Sequence, residues 1–339
     1  MASLRELGEA EVLRRLEAER GAATGVALGP GDDAALLEPA PGAAIVATTD
    51  AIVEGVHYLP EWTTPTAIGA RLAAVNLSDM AAMAARPRWA LLSIGARPES
   101  SADLLVEVQR GAQAMLGRFD AGIVGGNLTS VSGAPWWSLT LLGEVSEGEA
   151  WRRAGARSGD RIAVTGYPGR AGAGLALARR LNPRERTAEW DALLAAWLEP
   201  EPRVALALAL AETGAVRAAI DLSDGLAGDL AKLCEASAVG AELTAQGFTD
   251  DADLERAART LKVDATTLRL GPSDDYELLM AIDPDGADGC QTVAEALGIP
   301  LAFIGQFTAD RNSRMLVDGT GKPRPIVELG YDPFAKGDA

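Results

Sequence analysis

The chain of 339 residues is long enough for two domains of ordinary size, and its 48% hydrophobic and 23% charged residues describe a soluble globular protein with ample core. A formal charge of −17 argues against sequence-independent binding of nucleic acid through its phosphates. With only Cys234 and Cys290, a disulfide framework and a four-cysteine zinc site are excluded by count.

In chain order, residues 3–20 predict an amphipathic helix rich in Glu and Arg, followed by a turn at Gly29-Pro30-Gly31-Asp32-Asp33. Residues 43–49 predict a buried strand that ends in Asp50, and 65–84 a long Ala-rich helix. A strand at 89–96, a helix at 101–118, a short strand at 122–124 closed by Gly125-Gly126 and a strand at 136–145 complete the first half. The polar, Gly-rich stretch 146–160 is the domain boundary, giving domains 1–150 and 151–339. The second half predicts strands at 161–165, 218–222, 241–244, 276–282 and 301–307. Its helices fall near 171–181, 187–198, 202–213, 224–236, 250–261 and 287–298. Strand and helix alternate throughout, so the fold class is α/β, a mixed α/β unit in each half. The N-terminus is acidic where a signal peptide would be apolar, and no run of about 18 apolar residues occurs, so the expectation is a cytoplasmic chain without a membrane span.

Aspartates in small-residue settings carry the chemistry. Asn76 and Asp79 lie three apart on an almost wholly apolar helix, where a buried carboxylate needs a cation or a partner such as Arg71. Asp50 follows Thr48-Thr49 on a strand and reads either as a ligand or as a cap. Asp32-Asp33 reads as a cation site or as an Asx-turn. In Asp221-Leu222-Ser223-Asp224-Gly225 the alternative to a ligand cluster is helix N-capping by Ser223 or Asp224. His57, the lone histidine, reads most simply as a hydrogen-bonded structural residue, although it is near Asp50. Gly166 to Gly174 could cradle a phosphate at a helix N-terminus, but it lacks the Gly-Lys-Ser/Thr ending of a P-loop.

Taken in order, these motifs resemble the thiamine-monophosphate kinases, of the aminoimidazole ribonucleotide synthetase superfamily. The resemblance runs through Gly31-Asp32-Asp33, Thr49-Asp50, Glu54-Gly55-Val56-His57, Asn76-Leu77-Ser78-Asp79 and Gly125-Gly126. It continues through Arg153-Ala154-Gly155-Ala156, Asp221-Leu222-Ser223-Asp224-Gly225, Asp275-Tyr276-Glu277 and Gly330-Tyr331-Asp332-Pro333-Phe334. It implies transfer of the ATP γ-phosphoryl group to thiamine monophosphate, giving thiamine diphosphate, with several Mg²⁺ ions. It also implies a homodimer whose N-terminal mixed sheets pair, with ATP between the two domains. Under that resemblance Asp33, Thr48, Thr49, Asp50, Asp79, Asn127, Asp221 and Asp224 would serve Mg²⁺. Gly126, Asn127, Arg153 and Ser223 would contact ATP, and His57, Asp274 and Tyr331 thiamine monophosphate. Arg153, Asp221 and Asp224 would be catalytic. Neither nucleic acid nor membrane is an expected partner.

The pattern departs from that family at three places. Asn127 stands where Asp is usual, Pro272-Ser273-Asp274 where Gly-Gly-Glu is usual, and Ala84 where Gly follows Met83. The first two weaken a metal site and stiffen a loop; the third reads as minor. Other members of the superfamily are disfavoured, because the chain lacks their distinctive Lys or Cys. A nucleotide-binding relative that has lost catalysis is the alternative.

Overall fold

The computed structural model describes residues 2–29, 32–327 and 330. The chain divides into two compact units. One holds the residues up to Met80 with Ala84–Ala150 and Leu198–Val204; the other holds Ala81–Met83, Trp151–Trp197 and the residues from Ala205 onward.

In the first unit, Ser3 and Glu6 form a reciprocal capping box that starts α1 (Leu4–Leu7), and α2 spans Glu9–Glu17. Gly8, with φ of 75°, separates them, so the single helix predicted over 3–20 is two. Short strands β1 (Val26–Leu28) and β2 (Leu36–Leu37) pair antiparallel. Then follow β3 (Ala43–Val53), α3 (Pro65–Ala82), β4 (Arg86–Ala96), α4 (Ala102–Gly117), β5 (Gly122–Ser130) and β6 (Trp136–Ser146). The last four strands form one mixed sheet in the order β3-β6-β4-β5, parallel only between β4 and β5. Leu72, Leu77 and Met80 of α3 and Leu105 and Leu116 of α4 are fully buried, as are Trp89 and Trp137 of the sheet. The two helices approach through glycine. A Cβ on Gly69 would stand 1.7 Å from Val108 O, and one on Gly111 1.9 Å from Thr66 O.

Two predicted strands are longer than their patterns indicated. β3 runs on through Asp50 to Val53, so Asp50 lies within the strand and not at its end. β5 continues to Ser130, so Gly125, Gly126 and Asn127 belong to it, just after a bulge opposite Ala90 and Leu91. Gly126 is obligatory there: a Cβ would meet Leu92 O at 1.9 Å.

The second unit begins with β7 (Arg161–Thr165), α5 (Arg170–Ala178), α6 (Asp191–Leu198), α7 (Val204–Ala211), β8 (Val216–Asp221) and α8 (Leu226–Ser237). It continues with β9 (Gly240–Thr244), α9 (Ala252–Leu261), α10 (Ala265–Leu270), β10 (Leu278–Ile282), α11 (Ala287–Ala296), β11 (Leu301–Thr308), β12 (Arg314–Val317) and β13 (Pro323–Pro325). Its sheet has the order β13-β12-β9-β11-β7-β10-β8, antiparallel except between β12 and β9. β10 is buried at all five positions, which explains its continuous run of Leu-Leu-Met-Ala-Ile. α10 and the strands β1, β2, β12 and β13 have no counterpart in the sequence reading. Each is six residues or shorter, too brief for a periodic pattern.

Candidate active site

Side chains alternate across a strand, and β3 uses this to place two oxygen-bearing side chains on one face. Thr48 and Asp50 face α3, where Thr48 Oγ1 donates to Asp79 Oδ2. Burial first, and then the charge and hydrogen bonding of Asp79, push the Asp50 carboxyl up to about 7. Asp50 nevertheless keeps an exposed surface, so solvent and ions reach the pair. The fully buried Asn76 fixes its backbone: Asn76 Oδ1 accepts the Asp50 N–H at 3.1 Å, while Nδ2 donates to Leu72 O at 2.9 Å. Asn76 is therefore a clamp between α3 and β3. Thr49 projects from the opposite side of β3, where its hydroxyl lies 3.0 Å from Thr140 Oγ1 and 3.3 Å from Leu139 O. The Thr49 side chain is thus separated from Thr48, Asp50 and Asp79.

Asp33 and Asn127 meet elsewhere in this unit. They line a cavity of about 600 Å³ with Arg20, Asp32, Ser93, Gly126 and Thr140. Asp32 Oδ1 accepts the Asp33 N–H at 2.8 Å, so a local turn holds Asp32 and leads into exposed Asp33. His57 Nδ1 accepts the Val53 N–H at 3.2 Å, which places the proton of the neutral ring on Nε2 and fixes the loop after β3.

In the second unit, Asp221 ends β8 and is 4% exposed. Ser223 and Asp224 do not cap α8, whose N-cap is Gly225 without a side-chain bond. Capping is replaced by an inversion in which Asp229, wholly buried on α8, accepts the Ser223 N–H at 3.1 Å and the Asp224 N–H at 3.0 Å. Lys232 donates to Asp229 at 2.8 Å and to the Asp224 carboxylate. Burial raises the Asp229 carboxyl in spite of Lys232. Asp229 and Lys232 escaped the sequence reading; their signal is an acid and a base three apart in the first turns after the Asp-Leu-Ser-Asp-Gly run.

The Gly166–Gly174 loop is not a free phosphate cradle. The α5 N-terminus is already occupied by an internal anion: Asp275 accepts from Gly169 N at 2.6 Å and Ala171 N at 2.9 Å, and Ser273 Oγ accepts from Gly172 N at 3.0 Å. Burial lifts Asp275 to about 6, against the lowering effect of those donors. Glu277 accepts from Thr165 Oγ1 at 2.5 Å, and a Cβ on Gly166 would collide with it at 1.9 Å. Between Asp275 and Glu277, Tyr276 takes φ of 51°, a conformation that costs a non-glycine residue about 1–2 kcal/mol. Asp274 stays partly exposed on the same segment. Arg153 is exposed in a loop tied down by Ser237, which donates to Arg153 O at 2.8 Å. Tyr331 lies outside the described residues.

Among the described residues, no three His, Cys, Asp or Glu side chains stand together as a ready metal cluster. The carboxylates come in pairs, Asp32 with Asp33, Asp50 with Asp79 and Asp224 with Asp229, all hard oxygen donors that suit a divalent cation such as Mg²⁺. Also among the described residues, no helix is long and apolar enough to cross a membrane.

Two α/β units, each with its own sheet and acidic motifs, define the class. Residues 31–145 match the N-terminal domain of the AIR synthase related proteins, and residues 157–318 match the C-terminal domain of the same proteins. Within that class, thiamine-monophosphate kinase of Salmonella typhimurium is 34% identical over 327 residues, covering 96% of this chain and 97% of its own. A crystal structure of thiamine-monophosphate kinase from Stenotrophomonas maltophilia superposes with TM-score 0.78 at 36% identity, over 88% of this chain and 93% of its own. A ThiL structure complexed with AMPPCP and TMP superposes with TM-score 0.74 at 25% identity, over 98% and 99% of the two chains. The chain belongs to the thiamine-monophosphate kinase family.

Proposed function

We propose that this enzyme phosphorylates thiamine monophosphate at the expense of ATP, giving thiamine diphosphate by direct in-line transfer assisted by Mg²⁺. The observation that carries the reading is the Asp50–Asp79 pair beside Thr48. Two carboxylates have been brought together at an accessible place in a chain aligned end to end with thiamine-monophosphate kinases. Like charges placed side by side raise the energy of the ligand-free fold, and a divalent cation relieves that cost.

The acceptor is a phosphate oxygen that is already anionic, so the reaction needs no strong base from the protein. Its demands are alignment of two polyanions and neutralisation of their charge. Bound Mg²⁺ would supply that neutralisation and polarise the phosphoryl oxygens. In this reading Asp33, Asp50, Asp79, Asp221 and Asp224 hold the metal, with Thr48 and Asn127 as neutral oxygen donors. Thr49, whose hydroxyl lies beside the cavity-lining Thr140, would serve a metal on the Asp33–Asn127 side of the sheet and not beside Asp79. Arg153 and Ser223 bind nucleotide, with Gly126 allowing close backbone approach. His57 and Asp274 contact thiamine monophosphate. Asp229 and Lys232 are positioning residues: the first orients the Ser223–Asp224 backbone, and the second holds the Asp224 carboxylate. Occupation of the Asp224 site requires Lys232 to share or release that carboxylate.

The homodimer is proposed on the same footing. β3 is an eleven-residue edge strand with exposed Ile45, and long unpaired edges are usually covered.

The test is chromatographic detection of thiamine diphosphate after incubation with ATP, thiamine monophosphate and millimolar Mg²⁺. Stoichiometric ADP and thiamine diphosphate are expected; ATP binding with no product would favour the catalytically silent alternative. Asn127 motivates that alternative, because it is a neutral residue where the family usually has a carboxylate.

A further inference from the structure

Arg20 stands out in the cavity that holds Asp33 and Asn127. Its lining includes the acids Glu17, Asp32 and Asp33, and among the described lining residues Arg20 is the one cation. The guanidinium is poorly satisfied. Arg20 Nε is buried with no hydrogen-bond partner, and the ion pair from Nη1 to Glu17 is stretched to 3.7 Å. The side chain is 20% exposed, and burial depresses its pKa. The adjacent Glu19 is unavailable, being held in a two-pronged pair with Arg110 at 2.9 Å for each bond. Leaving a donor of a charged group buried and unpaired is costly, and native folds rarely do so without a reason.

The backbone that carries Arg20 is firmly placed. Val12 and Leu16 bury the inner face of α2, and Gln109 of α4 donates to Leu16 O. The Glu19–Arg110 pair ties the following turn to α4, and Arg20 N donates to Glu17 O at 3.2 Å. A weakly paired guanidinium on a fixed stem in the cavity wall, partly exposed and with acids nearby, suits an anion that arrives with its own divalent cation. Phosphate fits this best, because the planar fork engages two of its oxygens at once.

We infer that Arg20 is a nucleotide-binding residue that contacts a phosphate of ATP from the end of α2. The inference rests on the kinase reading given above and adds to it a cation that none of the Asp-rich motifs contains. The competing role is structural, with Arg20 serving as counter-ion to Glu17, Asp32 and Asp33.

Calorimetry of the full chain with Mg²⁺ and a non-hydrolysable ATP analogue separates the two, using wild type, Arg20→Ala and Arg20→Lys, with steady-state kinetics on the same proteins. Phosphate contact predicts that Arg20→Ala weakens analogue binding and raises KM for ATP about 10–100-fold. KM for thiamine monophosphate and the ligand-free melting temperature stay near wild type. Arg20→Lys, which keeps the charge and loses the fork, falls in between; it carries the test alone if the Ala variant does not fold. Wild-type nucleotide affinity in both variants would overturn the inference. So would a loss of affinity for both substrates that tracks a fall in melting temperature. The binding measurement does not need turnover, so a wild type that binds the analogue but makes no thiamine diphosphate refutes the kinase reading and leaves the Arg20 result standing.

Discussion

Replacing Asp50 with Asn separates the two effects of its charge. The carboxyl sits at about 7 in the fold, against about 4 in an unfolded chain. Its contribution to stability is therefore complete below pH about 4 and is lost as pH rises through about 7. Asp50→Asn escapes that loss. The metal-free variant should melt higher than wild type at pH 8 and the same as wild type near pH 4. Solvent around the exposed side chain keeps the gain small. Turnover should fall by at least about 10–100-fold, the scale seen when metal sites lose a supporting group. Parallel melts and assays over this pH range check both signs. Asn127→Asp makes the opposite change, adding a carboxylate to the cavity that holds Asp33. It should lower the Mg²⁺ concentration that gives half-maximal activity, read from a metal titration at saturating ATP. These residues differed in legibility. That Asp79 needs a partner is readable, because charge in an apolar setting demands one. That Thr49 faces away from Asp79 is not, because the motif names three adjacent residues while the pleat alternates their directions.

At the scale of elements, the end of α3 holds a cost that the change from Gly to Ala in the motif does not by itself reveal. Ala84 follows the helix with φ of 52°, and Ala85 N reaches back to Met80 O at 2.8 Å, a helix-ending pattern that glycine satisfies without strain. Ala84→Gly should stabilise the protein by about 0.5–1 kcal/mol, since relief of the left-handed strain outweighs the extra freedom of glycine in the unfolded chain. Chemical denaturation with an unchanged m-value would register it. The α5 N-terminus teaches a related lesson. Its glycines suggest a phosphate cradle, but the donors there are taken by Asp275, more than 100 positions along the chain. Local sequence reveals that a helix N-terminus needs a partner; only the fold reveals which one arrives. β5 runs past its predicted end for a similar reason, because Gly125 and Gly126 look like a turn yet sit in a strand where the backbones of Leu92 and Gly126 must touch.

For the whole molecule, of formal charge −17, cation binding at the paired carboxylates as proposed would stabilise the fold beyond simple screening. Saturating Mg²⁺ with a non-hydrolysable ATP analogue should raise the melting temperature by several degrees. At about 100 times the dissociation constant the linkage term is about 2.7 kcal/mol. EDTA should abolish the shift, and NaCl at matched ionic strength should not reproduce it; an equal effect of NaCl would reduce the metal to a screening ion. The sequence by itself determined the family, the α/β class and most of the longer elements, because apolar periodicity and ordered motifs are local properties of the chain. The tertiary structure alone decided which groups meet: Asp50 with Asp79, Asp229 beneath Ser223 and Asp224, and Asp275 at α5. Those contacts depend on strand pleat, on bulges and on residues far apart in the chain, and no local pattern encodes them.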